Sequence, residues 1–296
     1  MKKTARRLSE WFQVSSGVAT TGFAVLTFIW LLMLFGSCDH KPLYLDVPYV
    51  TTPDYVVDRM LEMAGVGPGD YVVDLGSGDG RIVIAAAGRG AFGHGVDIDP
   101  ERIREARANA RQAGVADRVM FLRENIFRTD ISRASVVTMF LLTTINRQLR
   151  PRLFKQLTPG TRVVSHKFDM GDWHPDQTAL VRGPQHVHQV YLWIMPAQLA
   201  GQWEWRLADH RYTLTIDQHF QEIAARMAAG RDSLQVERAI LRGRRMQLTA
   251  RDGSTRYEFN GRVDQDRIDG YVHLQTGDST RVARWAAQRQ ASDGIR

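Results

Sequence analysis

The sequence predicts an α/β protein: a doubly wound parallel sheet, with an apolar helix ahead of it and a small antiparallel β domain behind it. Three observations carry this. Short apolar strands alternate with helical patterns from Pro53 to Phe168, the pattern of parallel strands joined by crossover helices. A glycine-rich turn, Gly76-Ser-Gly-Asp-Gly80, stands between the first strand and the helix after it. Beyond residue 196 the texture changes to short alternating runs punctuated by glycine, which suits an antiparallel meander, either a small curled sheet or a barrel.

The chain has 296 residues, 44% hydrophobic and 24% charged, about two domains' worth and too apolar to be disordered. Its net charge is +7, of which residues 1–38 hold +3, residues 39–196 hold +1 and residues 197–296 hold +3. No basic stripe marks a nucleic-acid surface in the middle of the chain, so no nucleic-acid partner is expected. One cysteine, Cys38, excludes an intramolecular disulfide framework and a cysteine-rich zinc site.

At the start, Lys2, Lys3, Arg6 and Arg7 precede an uncharged run, residues 14–38. Residues 17–38 as a helix would span roughly 33 Å, enough to cross a bilayer. A membrane anchor over residues 1–38 is therefore expected; a lipoprotein signal ending at Phe35-Gly36-Ser37-Cys38 is the alternative. The positive charges favour a cytoplasmic N-terminus, which would export residues 39–296; the motifs of residues 73–100 argue instead for a cytoplasmic domain. Residues 39–48, with two prolines, read as a linker.

The central domain is expected over residues 49–196. Residues 53–64 read as a helix with Thr52 as its cap and Pro53 at its first position. Strands are expected at 71–75, at 94–97, at 118–122, at 135–140 and at 161–168, with helices at 81–88, at 100–113 and at 143–155 between them. Residues 178–182 and 187–195 read as two strands pairing antiparallel at the edge. The turn at residues 76–80 presents backbone N–H groups at the sheet's carboxyl edge. It lacks the third glycine of a dinucleotide fingerprint, since position 81 is Arg. Asp74 and Asp79 flank it, which suits a cationic ligand and would repel a pyrophosphate. Asp97 ends the next strand, 21 residues after Gly76, where a carboxylate can accept both hydroxyls of a ribose.

On these residues the chain resembles the class I S-adenosylmethionine-dependent methyltransferases, with their Rossmann-like sheet. Val73-Asp-Leu-Gly-Ser-Gly-Asp-Gly-Arg81 matches their first motif and Gly95-Val-Asp-Ile-Asp-Pro100 their second. Pro48-Tyr-Val-Thr-Thr-Pro53, Phe140-Leu-Leu142 and Gly160-Thr-Arg-Val-Val-Ser165 are together similar to the membrane-associated lysine methyltransferases of the ATP synthase c-subunit and adenine nucleotide translocase. The resemblance implies S-adenosyl-L-methionine as cofactor and a lysine side chain of a protein, membrane proteins included, as acceptor. It implies that Asp74, Gly76, Ser77, Gly78 and Gly80 hold the methionine part. Asp97 and Ile98 would hold the ribose, and Asn125 and Ile126 the adenine, with Glu124 as the alternative to Asn125. Tyr49, Thr51 and Thr52 would close over the cofactor, and Phe140 and Leu141 would border it. Leu142, Phe168 and Trp173 would complete apolar walls around the acceptor. No catalytic residue is singled out.

The remaining signals are weaker. His166, His174, His186 and His188 do not make a convincing metal set, and none is expected. Ser165 lacks a nucleophile elbow. Residues 197–296 read as a β-rich domain with strands around 203–205, 211–217, 239–241, 246–250, 257–259, 267–272 and 282–286. A helix is the alternative at 221–229. Two other functions stay open on the sequence: methyl transfer to a small molecule or lipid, and a membrane-anchored binding module without catalysis.

Overall fold

The computed structural model describes residues 49–290, which lie in one compact unit, Val47–Arg296. The anchor and linker expected over residues 1–48 fall outside the described residues. Within them, no helix is long and apolar enough to cross a membrane.

The first half is a seven-stranded mixed sheet in the order β3-β2-β1-β4-β5-β7-β6. Its strands are β1 (Tyr71–Leu75), β2 (Phe92–Asp97), β3 (Val119–Arg123), β4 (Val136–Met139), β5 (Arg162–His166), β6 (Gln177–Arg182) and β7 (Val187–Ile194). The first five run parallel, and β7 pairs antiparallel with both β5 and β6. Four helices cover it: α1 (Asp54–Met63), α2 (Arg81–Gly88), α3 (Pro100–Gln112) and α4 (Thr143–Gln156). Because strand side chains alternate between faces, Val72, Val136, Val164 and Val190 pack against Val56, Met60 and Leu61 of α1. Val73, Val137, Val163 and Trp193 pack on the other face with Leu149 and Leu153 of α4. The order reverses direction between β1 and β4, and at such a switch point the carboxyl edge of the sheet opens a crevice.

Local chemistry sets the helix starts. Asp99 caps α3, its carboxylate accepting the Glu101 N–H at 2.8 Å, with Pro100 in the first turn. The expected Thr52 cap of α1 is not made: Pro53 occupies the cap position without a side-chain bond, and the Thr52 hydroxyl turns 3.1 Å from His166 Nδ1. Thr52 is pulled into the sheet edge instead.

The second half is a closed eight-stranded antiparallel barrel. It runs β8 (Gly201–Leu207), β9 (His210–His219), β10 (Glu222–Ala229), β11 (Asp232–Arg242), β12 (Arg245–Asp252), β13 (Thr255–Asp264), β14 (Arg267–Thr276) and β15 (Ser279–Arg289). The helical alternative at 221–229 is overturned. That alanine-rich segment has helical propensity, but Ile223, Ala225 and Met227 alternate inward and pair with β9 along its whole length. The barrel is filled by side chains, among them Trp203, Trp205, Phe259 and Trp285. It closes through two residue pairs of β15 and β8, Gln288 with Glu204 and Arg289 with Trp203. Arg289 clasps that seam, its guanidinium 4.3 Å above the Trp203 ring and donating to the carbonyls of Gln198 and Ala200.

Two turns of the barrel dock on the sheet. Phe220, between β9 and β10, packs on Phe154 and Trp173, and Gln221 accepts the Trp173 indole N–H at 2.7 Å. Gly243, between β11 and β12, lies against Gly160, and its carbonyl accepts the Ala197 N–H at 2.8 Å.

Candidate active site

The glycine turn is held from below by the neighbouring strand. The N–H groups of Gly76 and Ser77 both donate to the Val96 carbonyl at 2.9 Å. Gly78 has φ 51° and Gly80 φ 82°, the left-handed region where a side chain is strained. A Cβ on Gly78 would stand 2.5 Å from the Tyr49 ring, and one on Gly80 would stand 2.6 Å from the Phe121 ring. Tyr49 therefore lies across the turn as a cover, with the Arg102 guanidinium 4.6 Å from its ring centroid.

Around this turn stand the acids. Asp97 closes it, one oxygen accepting the Gly78 N–H and the other the Asp99 N–H, each at 2.9 Å. Each oxygen keeps a lone pair for a ligand hydroxyl. Asp74 is buried beneath the turn and accepts the Thr138 hydroxyl at 2.7 Å. Burial pushes its carboxyl up to about 7; the Thr138 bond opposes this, and the charges of Asp97 and Asp79 add to it. Asp79, expected to attract a cation, turns away: its carboxylate pairs with Arg81 at 2.5 Å. Arg81 also reaches the Thr52 carbonyl at 3.0 Å and Asp54 at 3.5 Å, tying the cover segment to the turn. The attraction for a cation thus rests on Asp74 and Asp97.

The outer expected residues are placed unevenly. Leu141 lies against Gly76, 3.1 Å from where a Cβ would be. Thr51 and Ile98 are exposed beside the crevice, and Ile126 is half-buried. Asn125 Oδ1 already accepts the Phe127 N–H at 2.8 Å, and the Glu124 carboxylate accepts the Thr129 hydroxyl. Both acceptors expected to read an adenine are thus engaged in their own turn. Trp173 is corrected outright: it is fully buried between Phe154, Trp193 and Phe220, a docking residue for the barrel and no wall of an open site. Phe140 and Phe168 do stack, 5.9 Å apart, at the ends of β4 and β5.

Sequence reading missed the tasks of Thr138, Arg81 and Tyr55, which only strand register and helix packing bring into place. It also weighed four histidines for a metal, whereas the structure gives ring nitrogens of three of them, His166, His188 and His174, other partners. His166 is bonded to Thr52 and, through Nε2 at 2.9 Å, to His188 Nδ1; His188 Nε2 lies 3.0 Å from the Tyr55 hydroxyl. His174 pairs with Glu222 at 3.1 Å. Among the described residues no cluster of ligands stands ready for a metal.

The pocket chemistry fits an organic cation with a ribose. The turn leaves no room for a side chain at Gly78, the buried Ser77 hydroxyl has no partner, and two carboxylates flank the space. Comparisons with known proteins agree. The ANTKMT methyltransferase domain matches residues 74–177. The protein-lysine N-methyltransferase of Saccharolobus islandicus (strain REY15A) is 51% identical over 151 residues, which is 50% of this chain and 94% of that protein. The chain belongs to this methyltransferase family. It is an S-adenosylmethionine-dependent methyltransferase. The adenine nucleotide translocase lysine N-methyltransferase of Mus musculus is 35% identical to the methyltransferase over 164 residues, 55% of this chain and 71% of that one. The crystal structure of an RNA methyltransferase from Salinibacter ruber, in complex with S-adenosyl-L-homocysteine, shares 54% identity. It covers 51% of this chain and 96% of that one, with a TM-score of 0.49.

Proposed function

We propose that this methyltransferase transfers methyl groups to lysine side chains of a protein, and that residues 14–38 tether it to a membrane with its catalytic half in the cytoplasm. The observation that carries the reading is the covered glycine turn with a carboxylate on either side, in a chain that is 51% identical over half its length to a protein-lysine methyltransferase. S-adenosylmethionine, when bound, supplies a methyl group on a sulfonium. The chain's own residues then have three tasks. Asp74 and the backbone of residues 76–80 hold the cationic amino-acid end; Asp97, with Ile98, holds the ribose; Asn125 and Ile126 border the adenine. Tyr49, with Thr51 and Thr52 behind it, excludes water, as an in-line displacement from a sulfonium requires. Phe140, Leu141 and Phe168 give the acceptor amine an apolar approach, which favours its neutral form.

Tritiated S-adenosylmethionine, incubated with the full-length protein and with membrane and soluble protein fractions, tests the acceptor. Methyl-lysine in protein hydrolysates is expected; label in the lipid extract or in small molecules alone would overturn the reading. A reporter fused after Arg296 tests the topology, and activity outside the cytoplasm would reverse it.

A further inference from the structure

Four side chains, Thr52 of the cover segment and three with no task at the cofactor, stand in one hydrogen-bonded row. Thr52 Oγ1 is 3.1 Å from His166 Nδ1, His166 Nε2 is 2.9 Å from His188 Nδ1, and His188 Nε2 is 3.0 Å from the Tyr55 hydroxyl. The row starts where β4 and β5 end, under the Phe140 ring, whose centroid lies 4.0 Å from that of His166. It finishes at Tyr55 on α1, which is 38% exposed. Thr52 and His166 are buried, so the row leads from the interior of the carboxyl edge to solvent. Resting on the reading of lysine as acceptor, we propose that Thr52, His166, His188 and Tyr55 form a proton relay carrying the proton shed by the acceptor lysine out to solvent.

The reaction needs such an exit. A lysine ammonium has no lone pair; it must lose a proton before its nitrogen attacks. Each transfer then forms one N–C bond, breaks one S–C bond and releases one proton overall. Behind a cover that excludes water, that proton has to leave through the protein.

The row has the connectivity to carry it. In one polarity the Thr52 hydroxyl donates to His166 Nδ1, His166 Nε2–H donates to His188 Nδ1, and His188 Nε2–H donates to the Tyr55 oxygen, whose own proton faces water. A proton delivered to the Thr52 oxygen moves each of these one place outward. Tyr55 releases its proton to water and takes the one from His188, and every bond now points inward. The rings end neutral in the other tautomer and no charge is left behind. Neutral rings are what the surroundings enforce: burial above all, then His188 and Lys167, lowers His166 to about 4. The groups facing the row are few. Lys167 is next to His166 on the chain, Arg81 and Asp54 stand beside the Thr52 backbone, Val181 faces His188 across β6, and Phe140 offers an apolar face. Among the described residues no carboxylate is bonded to either ring of the relay, so none of them traps the proton part-way.

Tyr55→Phe and His188→Gln break the two outer links at half-buried or exposed positions, where the fold tolerates them. Single-turnover transfer to membrane and soluble protein fractions is measured from pH 6 to pH 10, with cofactor binding alongside. Both variants are expected to bind S-adenosylmethionine as the native protein does. Both should transfer at least about tenfold more slowly at pH 7 and converge with the native rate as pH nears the ordinary lysine value of about 10.4. Parallel pH profiles for native and variant proteins would overturn the relay. If the native protein methylates no lysine, the lysine reading fails separately, and the relay is judged by nitrogen-15 imidazole spectra of the full-length protein. A nitrogen–nitrogen coupling between His166 and His188, with a tautomer shift of His188 in Tyr55→Phe, supports the row. Independent titration of the two rings, with no coupling, overturns it.

Discussion

The parallel sheet and the barrel solve the same problem, unpaired strand edges, in opposite ways. The barrel closes on itself, so every strand has two neighbours and no edge remains. The mixed sheet stays open, and its carboxyl edge gathers the loops after β1, β2, β4 and β5. The consequence shows in what each half buries. All eleven buried polar or charged residues, from Thr52 to His166, belong to the sheet half, and among the described residues the barrel has none. Burying a polar group costs stability unless it is bonded, so a protein concentrates such groups where they serve binding or chemistry. The difference places the buried polar side chains with the sheet's site and leaves the barrel a largely apolar interior that braces the loop carrying Trp173 through Phe220. In that interior, among the described residues, only the indole N–H groups of Trp205 and Trp285 are buried without a partner.

A core substitution in the barrel separates the halves most sharply. Phe259 is buried between Trp205 and Trp285, with ring centroids 5.4 and 5.0 Å away. Phe259→Ala is expected to cost about 3–5 kcal/mol of stability in denaturant unfolding, while the dissociation constant for S-adenosylmethionine stays unchanged. A matching loss of affinity would make the barrel part of the binding site.

Two glycines with similar backbones come next. Gly80 in the sheet half has φ 82°, and a Cβ there would meet the Phe121 ring at 2.6 Å and the Ala106 Cβ at 2.9 Å. Gly230 in the barrel has φ 62° and open space around it. Gly80→Ala carries both strain and overpacking, about 2–5 kcal/mol, whereas Gly230→Ala carries strain alone, about 1–2 kcal/mol. Equal melting shifts for the two variants would mean that the turn is not packed against Phe121 and Ala106.

Within the sheet half, Asp97→Ala removes an acceptor for the Gly78 and Asp99 N–H groups and for the proposed ribose hydroxyls. Hydrogen bonds to a charged group are worth about 1.5–3 kcal/mol each, so calorimetry should show cofactor affinity weakened at least tenfold in a protein whose circular dichroism is native. Native affinity in that variant would remove Asp97 from the site.

The same contrast explains what could be read from the sequence. Strand and helix order, the glycine turn and the positions of Asp74 and Asp97 come from local pattern, since each depends on residues a few places apart. The sequence leaves the C-terminal meander between a curled sheet and a barrel, because closure depends on two residue pairs between β15 and β8 that no local pattern encodes. β10 was ambiguous because alanine favours a helix and only pairing with β9 decides otherwise. Thr138 on Asp74, Phe220 on Trp173 and Tyr55 on His188 are 64, 47 and 133 residues apart in the chain. Contacts of that kind are made by register and packing, which is why the side chains nearest the chemistry were the least legible.

The smallest effect concerns pH and distinguishes two of the buried ionisable groups of the sheet half, Asp74 and His166. Burial raises Asp74 to about 7 from its ordinary 3.8. A carboxyl whose folded value is raised weakens the ligand-free fold as pH climbs from about 3.8 to about 7, with no further change above that. His166, lowered to about 4 from 6.5, acts oppositely: stability falls as pH drops from 6.5 towards 4. A bound sulfonium and ammonium would require Asp74 ionised, so binding below pH 7 must expel its proton. Affinity for S-adenosylmethionine is therefore expected to weaken by about tenfold per pH unit below 7 and to level off above it. Titrations at pH 6.5 in two buffers of different ionisation heat should register the released proton. Asp74→Asn abolishes the slope while keeping the Thr138 contact. A slope that survives in that variant would place the titrating group elsewhere and remove Asp74 from the cation site.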